Sequence, residues 1–102
     1  MATHCTGGTS GTAAVTAEIQ AIVQSLKTEV AERLKRSLPI YHAISYRSQI
    51  VAGTNYFIKV VVGEADDYIH MRVFQPLPHS DPKLSLENLQ TGKTLFDEIE
   101  YF

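Results

Sequence analysis

The sequence predicts an α+β fold in which one long helix packs across an antiparallel sheet of four to five strands. Apolar residues between positions 19 and 34 recur every three or four residues, the period of a helix with one buried face. From residue 40 onward the chain consists of segments rich in β-branched and aromatic residues, separated by turn residues. Because the helix comes first and the strands follow one another, an antiparallel sheet covered by the helix is favoured.

The helix is predicted to begin at Thr16 and to end before Pro39. Thr16 is a suitable N-cap, Glu18 lies in the first turn and basic residues lie in the last, which suits the helix dipole. Pro39 cannot continue a helix. The apolar stripe comprises Ile19, Ile22, Val23, Leu26, Val30 and Leu34.

The β segments are divided by recognisable breaks. Strands are expected at residues 40–49, 54–62, 68–74 and 84–90. Ala52-Gly53 interrupts the first two, residues 63–67 form a polar turn, and residues 76–82 contain three prolines and are predicted to be a loop. Gly92-Lys93 is interpreted as part of a further turn.

The length of 102 residues allows one domain, 1–102. Residues 1–15 are mostly Thr, Gly, Ser and Ala and are predicted to be a flexible N-terminal arm. The net charge of -2, without a basic cluster, argues against nucleic acid and anionic membranes as partners. No apolar run is long enough to span a bilayer.

The chain begins at Met1 without a basic or apolar signal segment, and its single cysteine, Cys5, cannot form an internal disulfide. These features favour a reducing compartment, so a cytoplasmic location is expected. A secreted chain whose signal has been removed is the alternative.

No catalytic constellation is evident, and the chain is predicted not to be an enzyme. Cys5 could pair with a histidine, but a flexible arm cannot hold a base at hydrogen-bond distance. The four histidines are dispersed and lack metal-ligand spacing. No phosphate-binding glycine loop occurs. Neither a metal nor a cofactor is expected.

Two predicted loops are unusually apolar: Ile50-Val51-Ala52-Gly53 and Pro76-Leu77-Pro78-His79. Turns between strands are normally polar, and apolar side chains at such tips commonly contact another molecule. The alternative is that Ile50 and Val51 simply continue a buried strand. The residues themselves leave both interpretations open.

The run Gln49-Ile50-Val51-Ala52-Gly53, followed by Thr54-Asn55-Tyr56-Phe57-Ile58-Lys59-Val60, resembles the signature hairpin of the cystatin superfamily, Gln-x-Val-x-Gly. Gly7-Gly8 resembles the N-terminal trunk of that family. Leu77-Pro78-His79 resembles the second binding hairpin of its stefin branch, the type 1 cystatins that include cystatins A and B. The C-terminal residues 97–102 are also similar to stefins.

The resemblance implies a reversible, tight-binding, non-covalent inhibitor of papain-like cysteine proteases, with cathepsins L, S, H and B as typical targets. The trunk and both hairpins would occlude the active-site cleft. The implied protease-binding residues are Gly7, Gly8, Gln49, Ile50, Val51, Ala52, Gly53, Leu77, Pro78 and His79. Gln49 and Asn55 are expected to hold the first hairpin through side-chain-to-backbone bonds.

Two alternatives accompany this prediction. The chain could be a cystatin-fold interaction protein without inhibitory activity. It is expected to be mainly monomeric, but Val51 would be strained if its φ left the β region. Opening that hairpin would exchange the helix and first strand between two chains, giving a domain-swapped dimer that cannot inhibit.

Overall fold

The computed structural model describes residues 11–77 and 83–102, in which two consecutive helices cross a five-stranded antiparallel sheet of order β1-β2-β3-β4-β5. The helices are α1 (Ala17–Ser25) and α2 (Lys27–Leu34), and the strands are β1 (Ala13–Ala14), β2 (His42–Val51), β3 (Gly53–Gly63), β4 (Asp67–Gln75) and β5 (Ser85–Lys93). The predicted α+β fold class is confirmed.

The predicted long helix is divided at Leu26 into two segments. The Ser25 hydroxyl donates to the Ile22 carbonyl at 2.7 Å, which is the carbonyl that the Leu26 amide would bond in a regular helix. The Leu26 amide bonds Val23 O instead, at 3.1 Å. Leu26 is nevertheless buried, so the apolar stripe runs on from α1 into α2.

Both ends of the helical region have a local cause. The Thr16 hydroxyl accepts a hydrogen bond from the Ile19 amide at 3.3 Å, as expected of an N-cap. At the other end Lys35 adopts a left-handed conformation with φ 57°, which ends α2 before Pro39 is reached. Neither helix of the described residues is long and apolar enough to cross a membrane.

The hydrophobic core lies between the helices and one face of the sheet. Its buried residues include Ile19, Ile22, Val23, Leu26 and Val30 from the helical region and Ala43, Ile58, Val60, Val62, Ile69, Met71, Val73 and Leu86 from the strands. Burial of these side chains fixes which face of β2 to β5 meets the helices.

The C-terminal residues 94–102 cover the opposite face of the sheet. Phe57 is fully buried there, and its ring lies 5.4 Å from the ring of Tyr101 and 5.8 Å from that of Phe102. Arg47 donates to the Ile99 carbonyl at 2.6 Å. The sheet is therefore enclosed on both faces.

Two segments differ from the prediction. Ala13 and Ala14, placed in the N-terminal arm, pair with Tyr46 and Ser45 of β2. The predicted turn at Gly92-Lys93 is wrong, because β5 continues to Lys93. The register shifts near this point and Gly92 has φ 69°, so a glycine bulge absorbs an extra residue without ending the strand.

Candidate functional site

The first hairpin, residues 49–53, is a very tight connection between β2 and β3. Val51 lies opposite Gly53, so Ala52 alone forms the tip. Ile50 is 58% exposed and Val51 is 42% exposed. The strand does continue to Val51, but its last apolar side chains are not buried, and the interpretation of Ile50 and Val51 as a buried strand is wrong.

Gly53 determines the close approach of this hairpin to its neighbouring strand. Its φ is 123°, and a Cβ at this position would lie 2.6 Å from the Gln75 carbonyl oxygen and 2.7 Å from the Phe74 ring. Only glycine fits such a site without displacement. Strain at Val51 was expected only if its φ left the β region. Val51 belongs to β2 and the positive φ falls on Gly53, so that condition is not met.

Gln49 and Asn55 brace the base of the first hairpin. They lie opposite each other on β2 and β3, and Asn55 Nδ2 donates to Gln49 Oε1 at 3.0 Å. Both side chains are buried. The two side chains can bond directly because opposed residues on adjacent antiparallel strands face each other. The expected side-chain-to-backbone bonds stay a prediction.

The second loop, residues 76–79, begins beside the first hairpin. Thr54 pairs with Gln75, so the start of β3 and the end of β4 lie together. Leu77, the next exposed apolar residue, is 38% exposed. Pro78 and His79 lie outside the described residues. The structure thus brings Leu77 to the same end of the sheet as residues 49–53.

The N-terminal segment is directed to that same end. β1 is antiparallel to β2, with Ala13 opposite Tyr46 and Ala14 opposite Ser45. Moving from Ala14 to Ala13 is therefore moving along β2 toward Val51. Gly7 and Gly8 lie outside the described residues.

This end of the sheet can bury apolar surface against a partner. Residues 49–55 carry no ionisable side chain. Across residues 11–77 and 83–102 there is no group of three or more His, Cys, Asp or Glu side chains that could hold a metal ion. The chemistry available here is contact through Ile50, Val51 and Leu77 and through the backbone beside Gly53.

Phe74 and Gln75 were missed by the sequence-based prediction. Their contact with Gly53 depends on the register between β3 and β4. The polar turn at residues 63–67 is the signal that pairs these strands, but it does not reveal which side chain lies against the glycine.

Comparison with known proteins gives matches over most of the chain. The family model described as the Cystatin domain matches residues 7–95. The chain is 47% identical over 96 residues to Cystatin-B of Homo sapiens, an alignment that covers 94% of this chain and 97% of that protein. Identity to Cystatin-B of Bos taurus is also 47%, with the same coverage. Stefin-C of Bos taurus is 47% identical, with 94% of each chain covered.

Proposed function

Because this chain belongs to the cystatin family, in its stefin branch, and is a cysteine protease inhibitor and not an enzyme, we propose that it blocks papain-like proteases of the cathepsin L, S, H and B type. Inhibition is occlusion of the active-site cleft by the first hairpin, the second loop and the N-terminal trunk. The alternative, an interaction protein without inhibitory activity, predicts no effect on such enzymes.

The observation that supports this proposal is an exposed apolar hairpin held by a buried brace. Ile50 and Val51 project from a tip whose base is fixed by the Gln49–Asn55 bond. Burial of each apolar side chain in a protease cleft contributes about 1–3 kcal/mol. Because the hairpin is already ordered, little conformational entropy is lost on binding.

The proposed mode of binding is reversible and non-covalent. Ala52 at the exposed tip is small, which lets the hairpin backbone approach the walls of a narrow cleft, and Gly53 lets the hairpin lie close to β4. Leu77, with Pro78 and His79, adds contact on one side. Gly7 and Gly8 are proposed to contribute contact on the other side.

Titration of papain with this protein tests the proposal. We expect complete, reversible loss of protease activity at low nanomolar concentration or below, with one inhibitor bound per enzyme. No inhibition at micromolar concentration would contradict it and favour the interaction-protein alternative.

A pair of variants locates the effect on the chain. Val51→Asp forces a charge into an apolar cleft and is expected to weaken inhibition on the order of a hundredfold. Phe96→Asp is the matched control, since Phe96 is 88% exposed but lies near the other end of β3, beyond residues 63–67. Equal inhibition by both variants would exclude residues 49–53 as the contact.

We further propose a cytoplasmic location and a mainly monomeric state, in line with the stefin branch to which the chain belongs. A minor dimer would arise by opening the β2–β3 hairpin, which removes residues 49–53 from their binding shape. Size exclusion with an activity assay on each peak tests this. An inhibitory dimer would contradict the exchange of this hairpin.

A further inference from the structure

A row of polar and aromatic side chains crosses three strands behind the first hairpin, on the face toward the helices. The rings of Tyr46 on β2 and Tyr56 on β3 lie 6.2 Å apart at an interplanar angle of 59°. The Tyr56 hydroxyl donates to Gln75 Oε1 of β4 at 3.2 Å. Tyr56 is opposite Val73, so Gln75 is its diagonal neighbour on the same face.

The two ends of this row lie beside β1 and at the start of the second loop. Tyr46 is opposite Ala13, where β1 leads back to the N-terminal trunk. Gln75 is the last residue of β4 and immediately precedes Pro76 and Leu77. The row therefore connects β2 and β3, which form the first hairpin, with the end of β4, from which the second loop emerges.

The Tyr56 hydroxyl is suited to act as a lasting donor. It is partly buried, and burial, followed by the charges of Glu18 and Tyr46, raises the pKa of Tyr56. A tyrosine hydroxyl carries its proton at neutral pH, and this one donates to the amide oxygen of Gln75. Gln75 is also the residue whose carbonyl lies against Gly53, so its position affects both loops.

We propose that Tyr56, through its hydrogen bond to Gln75, is a positioning residue that holds Pro76 and Leu77 in place beside the first hairpin for protease binding. This inference rests on the proposed function. Without the hydroxyl the Tyr56 ring still packs beside Tyr46, but the Gln75 side chain loses its tether. Pro76 and Leu77 then have to be ordered when the protease binds, and that cost weakens the complex.

A double-mutant cycle tests the proposal. Tyr56→Phe should speed dissociation from papain by about three- to tenfold, the range expected for loss of one hydrogen bond. In a Leu77→Ala background the same change should have no further effect, because the contact that Tyr56 positions is already lost. An unchanged dissociation rate, or an equal factor in both backgrounds, would overturn the inference.

Two further variants separate positioning from general stability. Tyr46→Phe removes a hydroxyl for which the described residues show no hydrogen bond and should leave dissociation unchanged. Gln75→Glu keeps an acceptor and should stay close to wild type, whereas Gln75→Leu should reproduce the Tyr56→Phe result. Equal effects of Gln75→Glu and Gln75→Leu would contradict the role of the hydrogen bond.

Amide hydrogen exchange in the unbound protein distinguishes failure of this inference from failure of the proposed function. If the Leu77 amide exchanges faster in Tyr56→Phe than in wild type, Tyr56 positions the loop even where papain is not inhibited. If the exchange rates are identical, the positioning role is overturned, whatever the wild-type protein does to papain.

Discussion

Gly53 limits the shape of the first hairpin more strongly than any other residue described there. Gly53→Ala is expected to lower the free energy of unfolding by roughly 1–3 kcal/mol, because a φ of 123° and a Cβ 2.6 Å from the Gln75 carbonyl oxygen cannot both be tolerated. The hairpin must shift, so inhibition of papain should weaken about tenfold or more. Chemical denaturation and inhibition assays measure the two effects.

Gly92 provides a matched control for that substitution. It also has a positive φ, 69°, but no atom lies within 4 Å of its hypothetical Cβ. Gly92→Ala should therefore cost about 1–2 kcal/mol through backbone conformation alone and leave inhibition unchanged. Equal loss of inhibition in both variants would show that the hairpin shape is not what Gly53 protects.

The burial of His70 predicts that the stability of the fold depends on pH. Its side chain is fully buried, and neither ring nitrogen has a partner among the described residues. Burial, then Lys59 on β3 and Lys93 on β5, lowers the pKa of His70 from 6.5 to about 4, while Asp97 in the C-terminal segment opposes this shift. The folded protein therefore holds His70 neutral where the unfolded chain takes up a proton.

Because the pKa of His70 is lower in the folded protein than in the unfolded chain, stability falls as the pH falls. The contribution of His70 is fully present above its unfolded pKa of about 6.5 and is lost as the pH falls toward 4. His70→Leu should lose less free energy of unfolding between pH 7 and pH 4.5 than wild type, by on the order of 2 kcal/mol. Urea denaturation at both pH values measures the free energy of unfolding of the wild type and the variant. The difference between the two proteins at pH 7 gives the effect of the substitution on packing, which is subtracted. Equal losses would contradict the assignment.

At the residue scale, residues 49–53 and their support by Gln49 and Asn55 could be predicted from the sequence, whereas the contacts made from β4 could not. Residues 49–53 were identified because their pattern is local and resembles a known hairpin. Phe74, Gln75 and Tyr56 act through contacts between strands, whose register is set by burial over the whole sheet.

The C-terminal segment, residues 94–102, covers the face of the sheet opposite the helices. Lys59 donates to the carbonyls of Leu95 and Asp97, each at 2.5 Å, and Arg72 donates to the Phe102 carbonyl at 2.7 Å. Within the segment, the side chain of Ile99 is buried. The buried cation of Lys59, the half-buried guanidinium of Arg72 and the apolar side chain of Ile99 thus hold the segment together.

Ile99→Ala should lower the free energy of unfolding by about 2–4 kcal/mol, because it leaves a cavity under this segment. Phe96→Ala in the same segment should change stability by less than about 0.5 kcal/mol, since Phe96 is exposed. Urea denaturation of both variants makes the comparison. Similar values for the two would contradict the anchoring role of Ile99.

The N-terminal trunk is predicted to act mainly on the rate at which the complex dissociates. Deletion of residues 1–7 should weaken binding mainly by faster dissociation, because the hairpin contacts that guide association remain. Stopped-flow association and displacement experiments separate the two rate constants. An unchanged dissociation rate would show that the trunk does not contribute.

Among the elements, those with a strong local pattern were predicted well. The strands expected at 40–49, 54–62, 68–74 and 84–90 overlap β2 to β5. β1 was not predicted, since two alanines carry no strand signal and pair only because β2 is beside them. The division of the helix coincides with a hydrogen bond from the Ser25 hydroxyl to the Ile22 carbonyl, which the apolar periodicity does not detect.

At the scale of the whole molecule, the sheet has two distinct ends. Ile50, Val51 and Leu77 lie at one end, where β2 meets β3 and β4 finishes. The acidic turn of residues 64–67 lies at the other, with Leu95 bonded to Asp66 there. We propose that the protease binds only at the first end.

Amide chemical shifts of the labelled protein, recorded with and without papain whose catalytic cysteine is chemically blocked, test that claim directly. A complex should form despite the blocked cysteine, with the largest shift changes at residues 49–53 and Leu77 and small changes at residues 64–67 and 95–96. Largest changes at residues 64–67 and 95–96, or no complex with the blocked enzyme, would contradict occlusion by the first hairpin.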